Sequence, residues 1–207
     1  AWSLVQDTAW DGYEEVPLHV MKGYWTQIHE ITEQIISSNV DILFLQAGVG
    51  SWAASIASYI MIYWKDPPMI ITVEPLSANC VYESIKIGKR VSINNHKDTI
   101  MAGLNCGTVS KIAWKILKNY VQYSLAIPDA YTKRAMRLFA YPIKDDKVII
   151  AGESGAGGMA GLLALLEDKG YMKKRILTSS TTALLINTEG NTDPRRYNKI
   201  VTKENKK

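Results

Sequence analysis

Cysteine and long apolar runs are both scarce in this sequence. Cys80 and Cys106 are its two cysteines, too few for a disulfide framework and without the spacing of metal ligands. The longest apolar runs, such as residues 42–45 and 70–73, are strand-sized and fall far short of the roughly 20 residues that span a bilayer. No signal peptide is evident. These absences favour a cytoplasmic protein with no metal and no membrane partner.

A large excess of charge of one sign is also lacking. The chain has 24 Lys and Arg against 20 Asp and Glu, a net charge of +4, and part of the excess lies in the basic tail, residues 202–207. The other basic residues are scattered, so nucleic acid is not an expected partner. His19, His29 and His96 show no metal-ligand spacing. Hydrophobic residues make up 47% of the chain, which is typical of a folded domain.

The sequence does contain an alternation of strand and helix patterns. The apolar run 42–45, a glycine turn, a helix over 52–64 and the run 69–73 form a βαβ unit with an expected right-handed parallel crossover. Asp129 is expected to cap a later helix. The sequence predicts an α/β domain that ends near residue 201, with a mostly parallel twisted sheet flanked by helices. Other predicted strands are residues 3–7, whose sheet partners would lie upstream, and 124–127, 148–150 and 181–186.

Four segments rich in glycine, hydroxyl or acidic residues lie at the ends of predicted strands. In an open parallel sheet, ligands bind beyond the carboxyl ends of the strands, so we expect these segments to meet in one pocket. The segments are residues 7–8, 47–51, 152–158 and 188–193.

The turn Gly48, Val49, Gly50 and Ser51 is the most informative of these segments. Its glycines permit a tight turn and a close backbone approach to a ligand. The helix that follows presents free N–H groups and the positive end of its dipole, which favour a phosphate, and Ser51 adds a hydroxyl donor. A glycine turn that binds nothing is the alternative. The spacing is neither a dinucleotide fingerprint nor a P-loop.

Acidic residues in the same segments are candidates for proton transfer. Asp7 stands at a predicted strand end beside Thr8, where a carboxylate can act as general acid or base. A capping or turn aspartate is an equally good interpretation from the residues alone. Glu153 and Glu189 carry the same two interpretations.

Taken in order, six stretches resemble the diaminopropionate ammonia-lyases, a branch of the threonine-dehydratase-like enzymes. The resemblance runs from about residue 5 to residue 201, and its first and fourth stretches separate this branch from generic serine or threonine dehydratases. The stretches are 6–15 (QDTAWDGYEE), 45–51 (LQAGVGS), 73–75 (VEP), 99–107 (TIMAGLNCG), 152–156 (GESGA) and 188–194 (TEGNTDP).

The resemblance implies a fold-type II (tryptophan synthase β-like) enzyme that uses pyridoxal 5'-phosphate, usually as a homodimer. The implied reaction is α,β-elimination from 2,3-diaminopropionate to pyruvate and ammonia. The turn 48–51 matches the cradle of the cofactor phosphate, and Thr188 matches the hydroxyl that faces the pyridine nitrogen. Asp7 matches an acid near the leaving amine, Glu153 matches a pocket residue, and residues 101–104 match a loop that borders the site.

One departure from the resembled family concerns lysine. In those enzymes the lysine that holds the cofactor covalently lies upstream of the region matched here, and no lysine of this chain stands in such a motif. The chain is therefore expected to be a C-terminal portion whose partner is the missing N-terminal half, and to be inactive when isolated. A serine or threonine dehydratase, and an inactive remnant that binds phosphate or a partner, are the alternatives.

Overall fold

A computed structural model describes residues 2–35, 39–94, 98–168, 170 and 176–202. The predicted basic tail beyond Thr202 and the loop residues His96 and Lys97 lie outside this part of the chain. No helix of the described residues is both long and apolar enough to cross a membrane.

The described residues contain one sheet of four strands, and every pairing in it is parallel. The strand order is β3-β2-β1-β4, so the first strand lies in the interior of the sheet. Because all strands run the same way, all of their carboxyl ends lie at one edge. The predicted α/β fold with a parallel sheet is confirmed. The strands are β1 (Ile42–Gln46), β2 (Met69–Pro75), β3 (Tyr123–Ile127) and β4 (Ala183–Leu185).

Helices cover both faces of the sheet and create two hydrophobic cores. Leu43 and Leu45 of β1 pack in the core that α1, α2 and α4 share, whereas Ile42 and Phe44 pack in the core of α5, α6 and α7. Burial on both faces explains why β1 has a continuous apolar sequence instead of an alternating one. The helices are α1 (Glu15–Gln34), α2 (Ser51–Tyr63), α3 (Cys80–Ile87), α4 (Lys111–Tyr120), α5 (Asp129–Ala140), α6 (Gly157–Glu167) and α7 (Pro194–Val201).

Asp129 has a different position from the predicted helix cap. Pro128 is the N-cap of α5, and Asp129 is the first residue within the helix. Its carboxylate accepts hydrogen bonds from Thr99 Oγ1 at 2.6 Å and from the Ile100 N–H at 2.9 Å. The aspartate therefore anchors the loop before the 3-10 turn Ala102–Leu104 to the start of α5.

Two predicted strands, 3–7 and 148–150, are irregular in the structure. Val5 and Val148 are exposed, and no strand of the described sheet runs beside either segment. The Ile149 N–H donates instead to Phe139 O at 2.9 Å. A β-rich sequence forms a strand only where a neighbour supplies hydrogen-bond partners, and this information is absent from the local pattern.

Gly161→Ala is expected to destabilise the fold by about 1–3 kcal/mol, a typical cost of overpacking. Gly161 lies inside α6 where the helix crosses the sheet, and an added Cβ would lie 2.4 Å from Val73 Cγ2. The free energy of unfolding, measured by chemical denaturation, tests this expectation.

Gly23→Ala is the matched control, because Gly23 also lies inside a helix but an added Cβ there would meet nothing within 4 Å. It is expected to stabilise the fold by about 0.5–1 kcal/mol through helix propensity alone. Equal effects of the two substitutions would contradict the close packing of α6 on β2.

Candidate active site

A cavity of about 840 Å³ opens at the carboxyl edge of the sheet. Asp7, the turn 48–51 and Thr188 all lie on its wall, and the segment 152–158 contributes Ser154. The segments at the ends of the predicted strands thus meet around one space, as the parallel arrangement predicts. The chemical role of each residue stays a prediction.

The glycine turn leads directly into α2. Gly50 is the N-cap of this helix and has a φ of +86°, a left-handed conformation that strains any residue with a side chain. An added Cβ would also lie 2.8 Å from Leu117 Cδ1 in the core. The sequence interpretation attributed the glycines to a tight turn and to a close backbone approach to a ligand. The left-handed conformation of Gly50 agrees with the tight turn, packing against α4 is a further reason for glycine, and the approach of a ligand stays a prediction.

Gly48 lies against the loop 103–106, which contributes residues to the cavity wall. A Cβ at Gly48 would be 3.0 Å from Cys106 Sγ and 3.0 Å from Gly103 O, so only glycine permits this contact without a shift. The Gly103 N–H in turn donates to Ser154 Oγ at 3.0 Å. Burial raises the pKa of the Cys80 and Cys106 thiols, so neither is a ready nucleophile at neutral pH.

The segment that carries Asp7 is fixed at two points. Ser51 Oγ donates to Asp7 O at 2.7 Å, which joins the segment to the start of α2. The Ala9 N–H donates to Ser110 Oγ at 2.9 Å, which joins it to the start of α4. The Ser51 hydroxyl proton, expected to point at a phosphate, is therefore directed at the backbone of Asp7.

Asp7 is half-buried on the cavity wall, and its carboxyl group is perturbed. Burial raises the pKa of Asp7 above its ordinary value of 3.8, and a hydrogen bond from its own backbone N–H opposes the rise. Tyr24, from α1, lies on the same wall. Burial raises the pKa of Tyr24, and the charge of Asp7 raises it further. The Asp7 carboxyl thus holds a proton more readily than an ordinary aspartate, as a proton-transfer group requires.

Thr188 reaches the cavity from the segment after β4, and Gln46 at the end of β1 holds it. Gln46 Nε2 donates to Thr188 Oγ1 at 2.8 Å and to Ile186 O at 2.9 Å. This pair of bonds ties the last residue of β1 to the segment that follows its neighbouring strand. The Thr188 side chain is thereby kept at the cavity.

The two glutamates considered with Asp7 differ in position. Glu153 is buried, with Oε1 3.0 Å from Arg196 Nε of α7, so the structure does not bring it to the cavity wall with Asp7 and Thr188. Glu189 does line the cavity, and its carboxylate accepts from the Ser154 N–H at 2.7 Å. Ser154, the next residue along the chain, lines the cavity in place of Glu153.

Lysine is not among the residues that line the cavity in the described part of the chain. Lys111, the lysine tied to the Asp7 segment, makes ion pairs with Asp11 and with Glu14, the latter at 2.6 Å. It therefore braces the 9–14 loop on the surface. The described residues also contain no group of side chains suited to hold a metal ion.

Several wall residues were not expected from the sequence. The helix α1 contributes Tyr24, Gln27 and Glu30. Its apolar spacing in the sequence indicates a buried face but does not indicate which residues line a ligand site. Gln46 carried a usable signal, because a polar side chain ends an otherwise apolar buried strand. Cys106 gave no signal apart from its place in a glycine-containing loop, whereas Ser154 belongs to the predicted segment 152–158.

Glu74, near the end of β2, is fully buried. Its two carboxylate oxygens accept from the Val81 and Tyr82 N–H groups at 2.8 and 2.6 Å, at the start of α3. Burial raises the pKa of Glu74 to about 8, and these hydrogen bonds oppose the rise. The ordinary pKa of the carboxyl group is 4.5. Between pH 4.5 and about 8, the folded protein therefore keeps a proton on Glu74 that the unfolded chain releases.

The free energy of unfolding is expected to fall as pH rises from 4.5 to about 8, because only the folded state keeps this proton in that window. The contribution is present below pH 4.5 and is lost as pH rises through the folded value. For one proton the slope approaches about 1.4 kcal/mol per pH unit. Denaturation midpoints across this range measure it. Glu74→Gln should flatten the slope, and an unchanged slope would contradict the assignment.

Three comparisons with known proteins all find pyridoxal-phosphate dependent enzymes. The family model for pyridoxal-phosphate dependent enzymes matches residues 9–184. The diaminopropionate ammonia-lyase of Salmonella typhimurium is 40% identical over 210 residues, which cover 97% of this chain and 52% of the relative. The holo crystal structure of diaminopropionate ammonia lyase from Escherichia coli matches with a TM-score of 0.86 at 36% identity, over 97% of this chain and 51% of that one.

A second group of relatives is more distant. A biosynthetic L-threonine dehydratase of Staphylococcus aureus is 32% identical over 130 residues, which cover 58% of this chain and 31% of the relative. The chain spans about half the length of the curated ammonia-lyases that it matches.

Proposed function

Because this chain belongs to the pyridoxal-phosphate dependent enzymes, we propose that it forms part of a diaminopropionate ammonia-lyase and supplies the phosphate side of its active site. The proposed reaction converts 2,3-diaminopropionate and one water to pyruvate and two molecules of ammonia. The observation that carries the proposal is the meeting of Asp7, the turn 48–51 and Thr188 in one cavity. The match to ammonia-lyases over 97% of the chain supports the choice of reaction.

The donors around the cavity suit pyridoxal 5'-phosphate. The first N–H groups of α2 have no acceptor within the helix, and they lie with the helix dipole at the glycine turn, where an anionic phosphate is favoured. Thr188 would offer a neutral hydroxyl to the ring nitrogen. When bound, the cofactor supplies the electron sink for elimination. The turn would hold its phosphate, and Thr188 would orient its ring.

Asp7 is the proposed proton-transfer residue. Its half-buried carboxyl group has a raised pKa, and its backbone is fixed by Ser51. A carboxyl group in this state can hold a proton and release it to a leaving amine at the cavity. When ionised, the same group can attract the second ammonium of a diamino acid, which serine and threonine lack.

Covalent attachment of the cofactor is proposed to come from a lysine outside residues 1–207. Borohydride reduction of the protein loaded with pyridoxal 5'-phosphate, followed by peptide mass mapping, tests this. The expected result is a pyridoxyl-lysine in a segment upstream of this chain, and none within it. A pyridoxyl-lysine within residues 1–207 would overturn the assignment, and none anywhere would favour the inactive remnant.

A dehydratase is the second candidate, and the match to threonine dehydratase over 58% of the chain favours it. Pyruvate release from 2,3-diaminopropionate, compared with release from serine under the same conditions, separates the two. Faster release from the diamino acid supports the ammonia-lyase, and faster release from serine supports the dehydratase.

The setting of the complete enzyme is also a proposal. We propose a homodimer on the basis of the family resemblance, and light scattering of the purified protein tests it. We propose a cytoplasmic location because both thiols, Cys80 and Cys106, are free in the described structure, as a reducing compartment maintains them.

A further inference from the structure

Gln46 is a buried polar residue at the end of an apolar strand. Gln46 is 3% exposed, and the first turn of α6 lies directly on it. A Cβ at Gly157 would be 2.8 Å from Gln46 Cβ, so the helix touches the glutamine where it leaves the strand. Such close contact leaves the glutamine little freedom to change its rotamer.

The hydrogen bonds of Gln46 fix which end of its amide faces the cavity. One terminal atom lies 2.9 Å from Ile186 O and 2.8 Å from Thr188 Oγ1. A backbone carbonyl only accepts hydrogen bonds, so this atom must be the nitrogen, Nε2. Its two protons are then shared between Ile186 O and Thr188 Oγ1.

This arrangement sets the direction of the Thr188 hydroxyl. Because Thr188 Oγ1 accepts from Gln46, its own proton is free to point into the cavity. The other amide atom, Gln46 Oε1, is buried and has no hydrogen-bond partner in the described structure. Leaving a buried acceptor without a partner costs stability, and an apolar side chain would avoid that cost.

We infer that Gln46 is a positioning residue that makes Thr188 a hydrogen-bond donor to an unprotonated ring nitrogen in the cavity. The inference rests on the proposed function, since it takes the ligand to be pyridoxal 5'-phosphate. Gln46 could instead only fix the segment after β4, through its hydrogen bond to Ile186 O. That alternative role predicts changes in stability but no change in the protonation of the ring nitrogen.

A double-mutant cycle tests whether Gln46 acts through Thr188. The dissociation constant of pyridoxal 5'-phosphate is measured for the whole protein, for Gln46→Met, for Thr188→Val and for the pair. Each single change is expected to weaken binding by about 2- to 12-fold, the worth of one neutral hydrogen bond. The pair should be no weaker than the weaker single variant. Additive losses, or no loss in Gln46→Met, would overturn the inference.

The ring nitrogen itself provides a readout that a purely structural role would not move. In the wild-type protein, the ¹⁵N resonance of ring-labelled cofactor should have the shift of an unprotonated, hydrogen-bonded nitrogen. Gln46→Glu places an acceptor opposite Thr188 Oγ1, which turns the hydroxyl proton away from the cavity. Its ring resonance should move toward the protonated value. An unchanged resonance in this variant would overturn the inference.

The outcomes separate this inference from the proposed function. Failure of the wild-type protein to bind pyridoxal 5'-phosphate would remove the proposed function and this inference together. Binding by the wild-type protein, with unchanged affinity in Gln46→Met or an unchanged ring resonance in Gln46→Glu, would overturn this inference alone. Thermal unfolding of each variant identifies any change that acts only through the fold.

Discussion

Asp7→Asn is expected to lower the rate of elimination by about 10²- to 10⁴-fold, the usual contribution of a positioned acid or base. The asparagine keeps the size of the side chain but cannot hold or release a proton. Because the phosphate cradle does not use Asp7, the affinity for pyridoxal 5'-phosphate should be unchanged. Pyruvate release by the complete, cofactor-loaded enzyme measures the rate.

Asp11→Asn is the matched control for this change. Asp11 is four residues further along the same segment, and its exposed side chain pairs with Lys111 away from the cavity. Removing that charge should leave the rate unchanged. Since burial raises the pKa of Asp7, the limb of the pH–rate profile that belongs to it should lie above pH 3.8 and disappear in Asp7→Asn. A variant with wild-type rate and profile would remove Asp7 from the proposed chemistry.

The central part of the fold could be predicted because its signals are local. The apolar runs of β1 and β2 are buried on both faces. The turn and helix between them predict that the two strands are parallel, because a strand–helix–strand crossover joins parallel strands. The segments 3–7 and 148–150 have similar strand-like residues but lack neighbouring strands in the described sheet. Strand formation depends on a partner that is distant in sequence, so local composition could not separate the two cases.

The site was predictable to the extent that it consists of loops after strands. The turn 48–51, Asp7 and Thr188 have residue types that indicated a shared pocket, and they line one cavity at the carboxyl edge of the parallel sheet. Side-chain direction could not be predicted: Glu153 faces Arg196, and its neighbour Ser154 faces the cavity. Hydrogen-bond partners that are distant in sequence could not be predicted either. Gln46 and Thr188, for example, are 142 positions apart.

Gly50→Ala is expected to weaken binding of pyridoxal 5'-phosphate by on the order of 10- to 100-fold, equivalent to losing one N–H donor to a charged group at about 1.5–3 kcal/mol. The left-handed φ of +86° strains any L side chain, and the added Cβ lies 2.8 Å from Leu117 Cδ1. The turn must shift to relieve the backbone strain and the close contact with Leu117, and this shift misaligns the N–H groups at the start of α2. Equilibrium titration with the cofactor measures the loss.

Gly88→Ala separates strain from packing. Gly88 ends α3 with a φ of +78°, yet a Cβ there would meet nothing within 4 Å. Its substitution should cost about 1–2 kcal/mol of stability from the backbone alone, without changing cofactor affinity. Leu117→Ala, combined with Gly50→Ala, removes the clash but not the strain and should restore only part of the affinity. If Gly50→Ala binds the cofactor as tightly as the wild-type protein, the turn is a structural connection and the phosphate is held elsewhere.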